Sequence, residues 1–250
     1  MTDGLYHPTL EDRATYKDMS IVVLVPCKDN EVPIKFTKCL VNMIAYSWMH
    51  GLKVYQMGCT ERMVIHWARN DLCRQTKDKL NEYTGEKFTH IMWLDDDQLF
   101  NPDMLVYLAR HGDKDCVSAL YFGRTGRHLP VAYVKDSSAD KYKHFPLIEV
   151  PTALCEVDAV GFGAMLMRRD LLDRLEEPWF TFNNNAGEDI NFCVHAKEQG
   201  ARIFLDGSYR IGHLGEIGVV TETTYLQYLE ENKEEFADKV KVSLGGKLRG

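Results

Sequence analysis

The run Phe88-Thr89-His90-Ile91-Met92-Trp93-Leu94 stops abruptly at Asp95-Asp96-Asp97. No other boundary constrains the chain as much. The apolar residues Ile91 to Leu94 ask for a buried strand. Three adjacent carboxylates repel one another, and a hard cation such as Mg2+ or Mn2+ relieves that repulsion because it prefers carboxylate oxygens. Gln98-Leu99-Phe100 comes next, then Asn101-Pro102-Asp103. That triplet reads as a helix start, with Asn101 as cap, Pro102 at the first helical position and Asp103 in the first turn. The pattern is a buried strand, an acidic loop and a helix. In an open α/β sheet such a loop lies at the carboxyl edge, where ligands bind. An isolated Asp triplet is more often a solvated turn. At the end of a strand this apolar, the site is the stronger reading.

The flanking segments extend the pattern. Ile21 to Val25 is a short β-branched run stopped by Pro26, with Cys27-Lys28-Asp29-Asn30 at its carboxyl end. Phe36, Leu40, Ile44 and Trp48, with Val41 and Ala45, recur at helical spacing. Leu52 to Met57 reads as a second strand. Thr60 reads as the cap of a helix that buries Met63, Val64, Trp67, Ala68 and Leu72. Leu105, Leu108 and Ala109 carry a short helix, and Cys116 to Leu120 another strand. Alternation of this kind predicts a mostly parallel, doubly wound sheet flanked by helices.

The second half is less regular. Tyr121 to His128 reads as a loop, Val131 to Val134 as a strand, and Asp170 to Leu175 as a short helix. Gly161 and Gly163 interrupt the apolar run Glu156 to Met167, which marks a bulge or a close approach of another group. Glu188 to Gln199 reads as a helix stopped by Gly200, Arg202 to Asp206 as a strand, and Thr221 to Lys239 as a helix with Tyr225, Leu229 and Phe236 inward. No repeat or linker is evident. The expectation is one domain over 1–250, with a nucleotide-binding half at about 21–120 and an acceptor-binding, catalytic half at about 121–250.

Composition narrows the partners. The chain has 250 residues and a net charge of −7, without a long basic block, so tight binding to nucleic-acid phosphates is not expected. Its seven scattered cysteines form no Cys-x-x-Cys pair and read as reduced thiols. Met1 to Ser20 is polar, without a signal-peptide pattern, and no apolar run approaches the roughly 20 residues of a membrane helix. A soluble, cytoplasmic protein with no membrane span is the expectation.

Two further clusters join the acidic loop. Gly187-Glu188-Asp189 opens a helix, where acidic residues also serve the helix dipole. Gly212-His213-Leu214-Gly215 follows a strand, and its glycines leave the imidazole open to approach. A lone histidine is more often structural than a ligand. Together the clusters supply carboxylates for a metal, an extra nitrogen ligand and a spare carboxylate base.

The order of these segments resembles a glycosyltransferase of the GT-A fold, close to family 2. The strand ending in a proline loop (Val22 to Asp29), the Asp-x-Asp element (Asp95 to Asp97), the Glu-Asp pair (Glu188-Asp189) and the late His213 carry the likeness. Val160 to Leu166 and Gly187 to Cys193 also resemble small phage-type members. The similarity spans about Ile21 to Gly215.

The resemblance implies a Rossmann-like GT-A sheet with an irregular C-terminal acceptor half. It implies metal-dependent transfer of a sugar from a nucleotide-sugar, a UDP-sugar first, to an acceptor hydroxyl with inversion. Asp97, Asp95 and His213 would hold Mn2+ or Mg2+. Pro26, Lys28, Asp29, Arg69 and Asp95 to Asp97 would face the donor. Asp189, or else Glu188, would be the base. Trp179 and Gly163 would face the acceptor, which is a glycan, a protein or a modified nucleic-acid base. For a phage protein the location would be the host cytoplasm. A nucleotidyltransferase or a non-catalytic sugar-nucleotide-binding module are the alternatives. The first usually has a glycine-rich basic loop after the first strand, and Pro26 to Asn30 contains no glycine.

Overall fold

The computed structural model of the protein describes residues 4–27, 31–60, 63–135, 143–183, 186–216 and 218–236. In chain order, helix α1 (Leu10–Tyr16) precedes strand β1 (Ser20–Pro26), α2 (Ile34–Met49), β2 (Lys53–Thr60), α3 (Ile65–Lys77) and β3 (His90–Leu94). The acidic turn leads into β4 (Gln98–Leu99), α4 (Met104–Ala109) and β5 (Cys116–Leu120). There follow β6 (Ala132–Lys135), β7 (His144–Pro146), β8 (Leu154–Val157), β9 (Ala159–Val160), β10 (Ala164–Arg168), α5 (Leu171–Arg174) and α6 (Glu188–Glu198). Last come β11 (Ile203–Arg210), β12 (Gly212–Gly215), β13 (Gly218–Val220), α7 (Glu222–Glu231) and α8 (Lys233–Phe236).

Among the described residues, seven strands form the central sheet in the order β2-β1-β3-β10-β5-β11-β8. β2, β1 and β3 are parallel, and so are β5 and β11. β10 enters antiparallel to both β3 and β5, so those two share one direction; β8 closes one edge antiparallel to β11. The sheet is therefore mostly parallel, with helices on both faces.

Residue alternation explains this layering. Along β3, Ile91 and Trp93 join one core layer while Met92 and Leu94 join the other. Along β1, Val22 and Leu24 separate in the same way from Ile21, Val23 and Val25. One layer receives Leu72 and Cys73 from α3, Leu171 from α5 and Phe192 from α6. The other receives Tyr16 from α1, Phe36 and Met43 from α2, and Leu105 and Leu108 from α4. Both faces are covered, which is why the strands are continuously apolar and not alternating.

Several local expectations change. α4 begins at Met104, with Asp103 at its cap position and no side-chain cap. The Asp103 carboxylate instead accepts the Tyr6 backbone N–H and the Tyr209 hydroxyl, each at 2.6 Å, so tertiary partners claim it. Thr60 ends β2 opposite Pro26, and α3 starts only at Ile65. Val41, Trp48, Met63, Val64 and Trp67 are exposed, not inward. The inward positions of α3 include Arg69 and Asn70. Burial is tolerated because both are partnered: Asn70 donates to the Phe180 carbonyl at 2.7 Å and accepts the Phe180 N–H at 3.0 Å. The C-terminal helix breaks at Asn232 into α7 and α8, and Lys239 lies outside the described residues. Gly200 does stop α6, at φ +80°, the left-handed conformation that glycine adopts without penalty. Among the described residues, no helix is long and apolar enough to cross a membrane.

Candidate functional site

A cavity of about 780 Å³ opens at the carboxyl ends of β1 and β3. Pro26, the acidic turn, Arg69, Phe162 and the first turn of α6 line it. This is the sheet edge where ligands of α/β folds bind. Pro26, expected on the donor side, lines this cavity. Lys28 and Asp29 lie outside the described residues.

The three aspartates have three different environments. Asp95 leaves β3 with its N–H on the Gly163 carbonyl at 3.1 Å, and its Oδ1 accepts Arg69 Nη2 at 2.9 Å. Asp96 faces the cavity. Burial, then the charges of Asp97 and Asp95, push its carboxyl up to about 6. Asp97 also lines the cavity but has other partners. Its Oδ2 receives Arg124 and stands 3.2 Å from His213 Nε2. Burial alone would raise the Asp97 pKa. The His213 hydrogen bond and the charges of His213 and Arg124 outweigh burial and hold it below the usual carboxylate value. His213 is raised in turn: burial opposes its charge, but the Asp97 carboxylate prevails.

The position of His213 follows from a small sheet. β12 pairs antiparallel with β4, setting His213 opposite Gln98, and with β13 on its other side. The Leu214 N–H also binds the Asp97 carbonyl at 2.8 Å. His213 Nδ1 lies 2.8 Å from the Phe122 carbonyl, which only accepts, so Nδ1 carries a proton. The atom that faces Asp97 is then Nε2, the nitrogen a metal would use.

Asp97 and His213 are the residues here that could hold a divalent cation. The expected trio does not gather, because Arg69 draws Asp95 away. Among the described residues, no three of His, Cys, Asp and Glu stand close enough to share one ion. Two protein ligands leave the other positions of such an ion to water or a bound anion, as is common for Mg2+.

Across the cavity, α6 starts at Gly187 without a side-chain cap and presents Glu188 and Asp189 in its first turn. Glu188 is buried and accepts Arg69 Nε at 3.4 Å. Asp189 accepts the Ile190 N–H at 2.7 Å. Burial, then the neighbouring Glu188, push the Asp189 carboxyl up to about 6, a value suited to a proton acceptor near neutral pH.

Arg69 ties these walls together. It is 2% exposed and bridges Asp95 at the end of β3 to Glu188 at the start of α6. The Trp93, Phe162 and Phe180 rings surround its guanidinium at 5.6, 5.3 and 5.9 Å. Burial disfavours the charge, but Asp95, Glu188 and Asp189 hold the pKa above its ordinary value. The cation–π setting and the two carboxylates fix the side chain in place.

Two acceptor assignments are corrected. Trp179 is 2% exposed, with its indole N–H on the Leu172 carbonyl at 3.2 Å. A ring sealed in the core offers no platform. Gly163 is buried too, and the space above it is already taken. A Cβ there would lie 2.8 Å from Tyr121 Cζ and 2.9 Å from Gln98 Nε2. The Tyr121 hydroxyl accepts the Gly163 N–H at 3.0 Å, and its ring meets His213 edge-on at 5.6 Å. The glycine therefore admits Tyr121 beneath the site. Gly163→Ala should displace Tyr121 and cost about 1–3 kcal/mol, as overpacked cores do. Denaturant unfolding measures this, and an unchanged midpoint would mean that Tyr121 moves without cost.

Sequence reasoning missed the placement of Arg124 and the role of Tyr121. Gly123, Arg124 and Gly126 mark a loop, but nothing local says that it folds over Asp97. Arg127, from the same loop, pairs with Glu235 and not with the site.

No protein-family model matches the chain, and no curated protein matches it. Solved structures do. The crystal structure of A197 from STIV aligns with a TM-score of 0.53 and 18% identity, over 78% of this chain and 86% of that one. The crystal structure of GalNAc-T7 with UDP, GalNAc and Mn2+ aligns with a TM-score of 0.44 and 12% identity, over 89% of this chain and 49% of that one. At 18% identity, the likeness to A197 is one of fold. The architecture is mixed α/β, with a mostly parallel central sheet flanked by helices.

Proposed function

We propose that this protein is a glycosyltransferase that moves a sugar from a nucleotide-sugar, a UDP-sugar first among donors, to an acceptor hydroxyl. One observation carries the reading. Asp97, whose Oδ2 stands 3.2 Å from His213 Nε2, and Asp189, whose carboxyl is pushed up to about 6, line one cavity at the carboxyl edge of the sheet. Charge neutralisation at one side and proton removal at the other are what glycosyl transfer needs.

The residues divide the work. Asp97 and His213 would hold Mn2+ or Mg2+, which when bound neutralises the diphosphate as a Lewis acid. Pro26, at the end of β1, and Asp95 and Asp96 border the donor. Arg69 keeps Asp95 and Glu188 at a fixed separation. Asp189 takes the proton from the acceptor hydroxyl as its oxygen bonds to the anomeric carbon. The bond from that carbon to the diphosphate oxygen breaks, and the electron pair leaves with UDP. Attack opposite the leaving group inverts the anomeric carbon. Most donor-side residues fall within about 21–120 and the base within about 121–250, with His213 joining the donor side from the second half.

Calorimetric titration with UDP, with and without Mn2+, tests the reading, followed by UDP release from UDP-sugars. Asp97→Ala should weaken Mn2+ and UDP together by about tenfold or more, as loss of a support around an ion does. UDP affinity that EDTA leaves unchanged removes the ion from the account. UDP binding with no turnover of any UDP-sugar would leave a binding module and no enzyme.

A further inference from the structure

The structure exposes aromatic rings beside the base. Trp67 is 62% exposed and Phe182 52%, although large apolar side chains favour burial. They come from different elements, α3 and the segment before α6, and meet around His66. The Phe182 ring packs edge-on against His66 at 4.9 Å, and His66 lies 5.4 Å from Trp67. Met63 and Val64, 40% and 52% exposed, continue the patch toward the cavity that Val64 and Ala68 line. Phe182 reaches the other end: its Cε1 is 4.0 Å from where a Cβ on Gly187 would lie, one residue before Glu188. An exposed apolar strip that runs into a polar cavity marks a ligand surface.

Charge selects the ligand. Asp95, Asp96, Glu188 and Asp189 line this cavity against the buried Arg69, while Arg124 is taken up by Asp97. A donor diphosphate would have the cation at Asp97 to offset its charge, whereas a phosphate on the acceptor would face Glu188 and Asp189 without one. A neutral sugar ring meets no such repulsion. Its C–H face packs on an aromatic ring while its hydroxyls stay free for the carboxylate. We infer that Trp67 and Phe182 form the acceptor platform and that the acceptor is a neutral carbohydrate. The inference rests on the glycosyltransferase reading for the role of Asp189, but the platform itself is testable without a donor.

Saturation-transfer NMR with neutral methyl glycosides of glucose, galactose and N-acetylglucosamine reads the platform directly. Calorimetry with UDP reads the donor site separately. The wild type should bind at least one glycoside. Trp67→Ala and Phe182→Ala should each weaken it by about tenfold or more, with Trp67→Phe retaining most of the affinity, while UDP affinity stays within about twofold. Both side chains are more than half exposed, so unaltered UDP affinity also reports an intact fold. Four results overturn the inference: no neutral glycoside binds, Trp67→Ala and Phe182→Ala bind it as the wild type does, UDP affinity falls in parallel, or a single-stranded oligonucleotide binds in place of the glycosides. Glycoside binding without UDP binding upholds the platform and removes the donor reading. UDP binding and turnover without glycoside binding does the reverse.

Discussion

Asp189→Asn is expected to lower sugar transfer on the order of 10²–10⁴-fold, the range for loss of a general base, while making the protein more stable at neutral pH. Both effects come from one environment. Burial and Glu188 raise the Asp189 carboxyl from 3.8 to about 6. The folded state therefore binds this proton more tightly than the unfolded chain does. Ionisation is penalised in the folded state. The penalty is absent below the unfolded value of 3.8, grows as pH rises, and is complete above about 6. At 1.36 kcal/mol per pKa unit it amounts to roughly 2–3 kcal/mol. Asparagine removes the charge yet retains an oxygen for the Ile190 N–H. Denaturant unfolding at pH 7.5 should show the gain, and the gain should vanish near pH 4. The rate has the opposite dependence. A base must be ionised, so wild-type kcat/KM should fall about tenfold per unit as pH drops below about 6. A variant that transfers at the wild-type rate would move the role to Glu188, which shares the first turn of α6 and the favourable end of its dipole.

Arg69→Met should have the largest effect on folding. The guanidinium is 2% exposed and compensates two carboxylates at once, Asp95 at 2.9 Å and Glu188 at 3.4 Å. Methionine fills much of the space among Trp93, Phe162 and Phe180 but leaves both carboxylates without a partner. Breaking a buried ion pair from one side costs about 3–5 kcal/mol. In a chain of this size that lowers Tm on the order of 10 °C. Arg69→Lys should recover only part, because one ammonium cannot reproduce a fork that reaches β3 and α6 together. UDP affinity should fall in both variants, since the clamp sets the cavity walls. If Arg69→Met unfolds at the wild-type midpoint, the two carboxylates are compensated elsewhere and the clamp is not structural.

The sequence by itself determined the alternation of strands and helices, the burial of both sheet faces, the acidic turn at the end of β3 and the carboxylate pair that opens α6. These are local properties. A β-branched apolar run, a helical repeat and a carboxylate at a helix start are favoured by forces acting within a few residues. Only the tertiary structure decided which distant pieces meet. Nothing local inserts β10 antiparallel between β3 and β5, or pairs β12 with β4 so that His213 faces Asp97. Nor does helical periodicity say which polar residue is buried. Arg69 is inside because two carboxylates from separate elements compensate it, and Trp67 is outside because the same rotation of α3 turns it away. Trp179 and Trp67 are the same residue type with opposite fates. One fills the core beneath α5, and the other stands in solvent beside the site. Whether a ring is buried depends on the surface that packs against it, and that surface comes from other parts of the chain.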